Sequence, residues 1–141
     1  MDIDRLRAEL TLEEADRLRM YYDSRGIPTI GIGHNLRDKP ISQAAVDQIF
    51  ADDVSEVVQQ LTEKLPFWSG LDPVRQQVLA DMAFNLGIDG LLGFHHTLIC
   101  TQAGQYGAAA EGMRASEWFK QVGVRAVRLA NMMETGTYPS P

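Results

Sequence analysis

Residues 17–33, RLRMYYDSRGIPTIGIG, break the helical spacing that governs most of this chain. Aromatic and β-branched residues flank Asp23-Ser24-Arg25-Gly26, a pattern that predicts a hairpin with Gly26 in a left-handed turn position. Pro28 has no N–H to donate, so it belongs at an edge or at a strand start. Gly31 and Gly33 alternate with Ile30 and Ile32. A strand with so little side-chain bulk lets a partner or ligand approach its backbone closely.

On either side the spacing is helical. Ile3, Leu6 and Leu10 predict an amphipathic helix over 2–14, with Asp2 as N-cap. Residues 35–41 (NLRDKPI) read as a loop. Ser42 then caps a helix over 42–64 in which Val46, Ile49, Phe50, Val54, Val57, Val58, Leu61 and Leu65 keep helical spacing. That helix would be about 34 Å long, enough to connect two lobes. Pro66 ends it. Asp72-Pro73 starts another, expected to be buried centrally and to stop at Gly87. Shorter helices follow near 88–93, 95–103, 105–114, 117–121 and 123–134, before an irregular tail.

The expected fold is therefore α+β and mostly helical. It is read as one domain over 1–141. A small hairpin-containing lobe (about 15–45) is joined by the long helix (about 42–64) to a helical lobe (about 65–141 with the N-terminal helix). A cleft between lobes is the default ligand site.

Composition removes several functions. The chain has 141 residues and a net charge of -6. Nucleic-acid binding through a basic footprint is disfavoured. The same charge works against encounter with an anionic cell wall, although Arg114, Lys120, Arg125 and Arg128 could form a local basic patch. The single cysteine, Cys100, allows no internal disulfide and reads as a small buried apolar residue. His95 and His96 are adjacent and splay about 100° apart on a helix, poor geometry for a metal, so no metal and no cofactor is assigned. MDIDRLRAEL lacks the apolar core of a signal peptide, and no run reaches the length of a membrane span. The expectation is a soluble monomer made in the cytoplasm, without membrane insertion.

The chemistry open to such a chain lies in its carboxylates. Glycoside hydrolysis needs one carboxyl group that donates a proton to the leaving oxygen and an ionised one that activates water or attacks. Glu14 closes the first helix, Asp23 opens the hairpin turn, and Thr29 starts the returning strand. A hairpin brings Asp23 and Thr29 together at its root. Acidic residues at helix ends and turns are nevertheless common, and ordinary turn chemistry alone would select Asp23.

Glu14, Asp23 nine residues on, Thr29 six further, and the run Thr29-Ile30-Gly31-Ile32-Gly33-His34 together resemble the signature of the phage-type lysozymes, glycoside hydrolase family 24. The similarity extends through Met82-Ala83-Phe84-Asn85-Leu86-Gly87, Gly93-Phe94, Ser116-Glu117-Trp118, Gln121, Arg125-Ala126 and Gly136-Thr137-Tyr138. The resemblance implies an endo-acting, inverting muramidase. Its substrate is the β-1,4 bond between N-acetylmuramic acid and N-acetylglucosamine in bacterial peptidoglycan. Glu14 is then the general acid, Asp23 the carboxylate that activates water, and Thr29 the residue that holds that water. Inversion needs the carboxyl groups roughly 6.5–9.5 Å apart. Asn35, Phe84 and Thr97 fall at sugar-contacting positions of the family. Phe84 also reads as plain core, and Asn35 differs from the family residue.

Arg125 matches a family arginine that pairs with the catalytic Glu, and also reads as an exposed helix cation. A cation beside a carboxyl favours its ionised form, whereas a general acid must keep its proton. His34 and Asp53 match a structural pair bridging the hairpin and the long helix. Asp53 interrupts that helix's apolar stripe, and a buried carboxylate needs a partner. A holin-type release partner follows from the family alone.

The chain departs from the family at two places. Gly and an apolar residue commonly follow the catalytic Glu, where this chain has Ala15 and Asp16. A positive φ at Ala15 would carry strain of about 1 kcal/mol or more. Asp16 adds a carboxylate near the site, and like charges favour the protonated form of a neighbouring acid. Glu13 is a rival acid, but it points about 100° away on the helix. The loop between His34 and the long helix is minimal, so part of the small lobe is trimmed. Two other readings remain. One is a catalytically weakened lysozyme-fold module that binds peptidoglycan or regulates. The other is a lytic transglycosylase, against which Asp23 and Thr29 argue because that reaction needs no water.

Overall fold

The structure, a computed structural model, describes residues 1–140. The element order is α1 (Ile3–Glu14), β1 (Arg17–Tyr22), β2 (Pro28–Gly31), β3 (His34–Asn35), α2 (Gln43–Lys64), a 3-10 turn (Trp68–Gly70), α3 (Pro73–Leu92), α4 (His95–Gln102), α5 (Tyr106–Arg114), α6 (Glu117–Val122) and α7 (Val124–Thr135). The class is α+β and mostly helical, as expected. Among the described residues no helix is long and apolar enough to cross a membrane.

The chain divides into two units, Met1–Phe50 and Ala51–Pro141, with the boundary inside α2. The first unit holds α1 and one antiparallel sheet in the order β1-β2-β3. α1 therefore groups with the hairpin, where the sequence pattern suggested the helical lobe. The third strand is also new: Asn35, read as the start of a loop, and His34 before it pair with Thr29 and Ile30. Two residues make too short a run to show any alternation.

Asp2 caps α1 by accepting the Arg5 N–H at 3.0 Å, as its position predicts. In β1, Tyr21 faces Thr29 and Tyr22 faces Pro28, but the register is irregular between Tyr21 and Arg17. Such a bulge bends the strand locally. Ile27 and Thr29 are the only residues of this unit that are fully buried. Leu6 and Leu10, expected to pack, stay partly exposed, and α1 buries no side chain.

The second unit carries the core. Leu61, Val78, Leu79, Met82, Leu91, Met113 and Met133 are completely buried and belong to one cluster. Along α2 the apolar stripe is buried only from Val57 onward, through Leu61 to Leu65. Val46, Ile49, Phe50 and Val58, which keep the same helical spacing, are exposed. Helical spacing shows which residues share a face, not how far along the helix a partner covers it.

α3 begins as predicted, with Asp72 accepting the Arg75 N–H and Pro73 in the first turn. Gly87, at φ 74° and ψ 162°, kinks the helix where the sequence placed its end. Arg75 also clasps α7. Its guanidinium donates to the Met133 and Glu134 carbonyls at 2.8 and 3.1 Å and lies 3.5 Å from the centre of the Tyr106 ring. These bonds satisfy end-of-helix carbonyls that have no partner within the helix.

Ala15 is the one non-glycine among the described residues with a positive φ, at φ 60° and ψ 164°. That region is nearly reserved for glycine and costs about 1–3 kcal/mol for a residue with a Cβ. The strain foreseen from the Ala15 departure is present. Ala15→Gly relieves it at a backbone-entropy cost of about 0.5–1 kcal/mol. The variant should therefore be more stable by about 1 kcal/mol, read as slowed hydrogen exchange of the α1 amides. Exchange that is unchanged or faster would show that Ala15 is not strained.

Candidate active site

Asp23 organises the hairpin turn. Its carboxylate Oδ1 accepts the backbone N–H groups of Arg25 and Ile27 at 2.8 and 2.9 Å. The main chain closes around it, with the Asp23 N–H donating to the Ile27 carbonyl at 3.0 Å and the Gly26 N–H to the Asp23 carbonyl at 2.9 Å. Gly26 takes φ 74°, the left-handed conformation its position predicts. The Ile27 N–H holds the Asp23 carboxyl below its usual range, against the opposing effect of partial desolvation. The Arg25 N–H and the charges of Arg25 and Arg37 add to it. Asp23 is thus kept ionised, the state a water-activating carboxylate requires.

Glu14 stands at the end of α1. Glu13, Glu14, Arg17, Tyr21, Tyr22, Asp23, Ser24 and Arg25 line one open cavity of about 450 Å³. The helix end and the hairpin turn therefore supply carboxylates to a common space within the first unit. Both Glu13 and Glu14 line it, and Glu14 also lies beside Gly33. A Cβ placed on Gly33 would lie 3.1 Å from Glu14 Cγ. Asp16, the added carboxylate, is paired with Arg7 at 3.2 Å.

Thr29 is buried, and its hydroxyl donates to the Ile27 carbonyl at 2.8 Å. It braces the turn from behind and is not among the residues lining the cavity. The sequence reading did not single out Tyr21. Its ring lies 4.3 Å from the Arg17 guanidinium, and its hydroxyl is buried with no hydrogen-bond partner among the described residues. A buried hydroxyl left unpaired is costly, and a water molecule is the usual partner for such a group.

Asn35 is taken up by its own turn. Its Oδ1 accepts the Arg37 and Asp38 N–H groups, and its Nδ2 donates to Asp38. His34 Nε2 is buried without a partner among the described residues. Asp53, expected as a buried carboxylate, is exposed. It stands one turn before Val57, where burial of the α2 stripe begins, so solvent rather than protein surrounds it.

In the second unit Phe84 is 42% exposed and is not plain core. With Asp53, Glu56, Gln60, Gly87 and Asp89 it lines a cavity of about 560 Å³. Thr97 is buried beside another of about 500 Å³, whose walls include His95, His96, Ser116 and Trp118. Trp118 packs edge-on against Phe94 and donates its indole N–H to Asn85 Oδ1 at 2.7 Å. Arg125 is held by Asp81 of α3, with its Nε donating to the carboxylate at 2.6 Å, so its ion-pair partner is a residue the sequence reading did not name. Among the described residues no group of acidic, His or Cys side chains is arranged to hold a metal ion.

Residues 12–132 match the phage lysozyme family. The chain belongs to that family. It is thereby placed among the lysozyme-type glycoside hydrolases. It is 27% identical to the pre-baseplate central spike protein Gp5 of Enterobacteria phage T4, over 93% of this chain and 28% of the spike protein. The chain thus spans little more than a quarter of that relative. It is 26% identical to a probable T4-type lysozyme of Dictyostelium discoideum, over 91% of this chain and 92% of the relative. The endolysin of Salmonella phage P22 is 45% identical over 51 residues, 36% of this chain and 35% of the relative.

The Asp23 geometry has a consequence for pH. A carboxyl held below its unfolded value stabilises the fold above that value, and the contribution is lost as pH falls through the folded-state pKa. In a ¹³C titration of the side-chain carboxyls, Asp23 should titrate below the ordinary aspartate value of about 3.9. A midpoint at or above that value would mean that the turn N–H groups do not hold the carboxylate.

Proposed function

We propose that this family member is an endo-acting muramidase. It cleaves the β-1,4 bond between N-acetylmuramic acid and N-acetylglucosamine in bacterial peptidoglycan. The observation that carries the reading is the shared cavity: Glu14 and Asp23, the family's acid and base positions, both line it. Its size suits a small-molecule or sugar site.

In this reading Glu14 protonates the leaving glycosidic oxygen while Asp23 draws a proton from a water molecule attacking the opposite face of the sugar. Two carboxyl groups that admit water between them lead to inversion at the anomeric carbon. Asp23 is suited to the base because two backbone N–H groups stabilise its charge. The family's water-holding position is filled by Thr29, which here is buried behind the turn and bonded to the Ile27 carbonyl, so its part in this reading is to brace the turn that carries Asp23. Within the second unit, Phe84 and Thr97 are the residues that the family resemblance proposes as sugar contacts. Arg125 and its Asp81 partner support the second unit, His34 and Asp53 are supporting positions, and Asn35, expected at a sugar contact, has its side chain bonded within its own turn. The protein acts on the wall as a monomer, and a holin-type partner would release it from the cell that makes it.

A second reading has its own observation. The strained Ala15 directly follows the acid. A backbone forced into a glycine conformation there is compatible with a weakened enzyme that mainly binds peptidoglycan.

Purified peptidoglycan separates the two. The muramidase reading expects wild-type protein to release reducing ends. Glu14→Gln should lower that rate by about 10³-fold or more, since the reaction stops without its acid. Wild-type protein that is captured by peptidoglycan but releases no reducing ends supports the second reading. Turnover that survives Glu14→Gln removes Glu14 as the acid.

A further inference from the structure

The chain turns between β2 and β3 at Ile32 and Gly33, and Gly33 takes φ +70°. Glu14 lies directly over its bare α-carbon. A Cβ built there would be 3.1 Å from Glu14 Cγ, 3.2 Å from Cδ and 3.3 Å from Oε2. Unstrained carbon contacts lie at about 3.5–4.0 Å, so the space fits the Glu14 side chain and not a methyl group beside it. Gly31, two residues earlier, has φ +63° and nothing within 4 Å of its Cβ position. The two glycines share a backbone requirement, but only one of them touches the acid.

Glu14 is an exposed residue at a helix end, and among the described residues no hydrogen bond or ion pair holds its carboxylate. What remains to orient it is the surface it leans on. We propose that Gly33 is a positioning residue for Glu14. Its missing side chain forms a shallow seat that fixes where the carboxyl presents its proton. A Cβ at Gly33 would push Cγ, Cδ and Oε2 together, moving the carboxyl by a few tenths of an ångström without touching substrate. The inference rests on the reading of Glu14 as the general acid.

The test compares Gly33→Ala with Gly31→Ala, each corrected for the folded fraction. Both place alanine at positive φ, so the second reports backbone strain alone. Gly33→Ala should lower kcat on purified peptidoglycan about tenfold below Gly31→Ala, because misplaced catalytic groups cost rate steeply. KM should be unchanged, and the Glu14 carboxyl ¹³C resonance should move in Gly33→Ala only. In the wild-type protein a nuclear Overhauser contact between the Gly33 α-protons and the Glu14 γ-protons is expected, and it is readable even if Gly33→Ala does not fold. Equal kcat losses in the two alanine variants, an unmoved Glu14 resonance, or absence of the wild-type contact would each overturn the seat. Glu14→Gln run beside them keeps the failures apart. If it retains turnover, the acid assignment falls. If it is inactive while the glycine variants behave alike, only the role of Gly33 falls.

Discussion

The hairpin turn depends on one carboxylate accepting two backbone N–H groups. Asp23 ties Arg25 and Ile27 into the turn, and Gly26 supplies the left-handed residue that lets the chain close. In a unit where only Ile27 and Thr29 are fully buried, side-chain packing contributes little to the precision of the site. Local hydrogen bonds have to do it. The same bonds that shape the turn keep Asp23 charged, so structure and chemistry at this residue have one cause.

The other wall is set by different means. Glu14 is the last residue of α1, followed at once by the strained Ala15 and then by Asp16 on Arg7. The helix must end there for the chain to enter β1, and alanine makes that exit expensive. Strain beside a reacting group can be part of a mechanism or simply a tolerated cost. Just before Ala15, Glu14 lies over the bare backbone of Gly33. The second unit needs no such devices. Its packed core of leucine and methionine carries the bulk of the burial, with Arg75 and the Trp118–Asn85 bond fastening helices together.

Much of this could be read from residue spacing. The helix limits followed from Asp2, Ser42, Asp72-Pro73 and Gly87, each a local signal with a local cause. Gly26, Pro28 and Ala15 were readable for the same reason, because each has a backbone conformation that few residues share. Properties that depend on distant neighbours were not. The α2 stripe looks continuous in sequence, yet burial stops at Val57 and leaves Asp53 exposed, because coverage depends on what packs against the helix. Arg125 on Asp81 joins residues 44 positions apart, and no local pattern marks such a pair. Tyr21 passed as an ordinary aromatic strand residue. Only in the folded chain is its hydroxyl buried without a partner among the described residues.

In the proposed mechanism Glu14 and Asp23 act from opposite sides of one sugar with water between them. The anomeric configuration of the newly formed reducing end tests this directly. Proton NMR of peptidoglycan fragments, recorded in the first moments of digestion before mutarotation, should show the α-anomer, the product of direct water attack on a β-linkage. A nascent β-anomer would mean a covalent intermediate and a nucleophile in place of a base. An anhydro end would mean that no water enters, and either result would contradict the account.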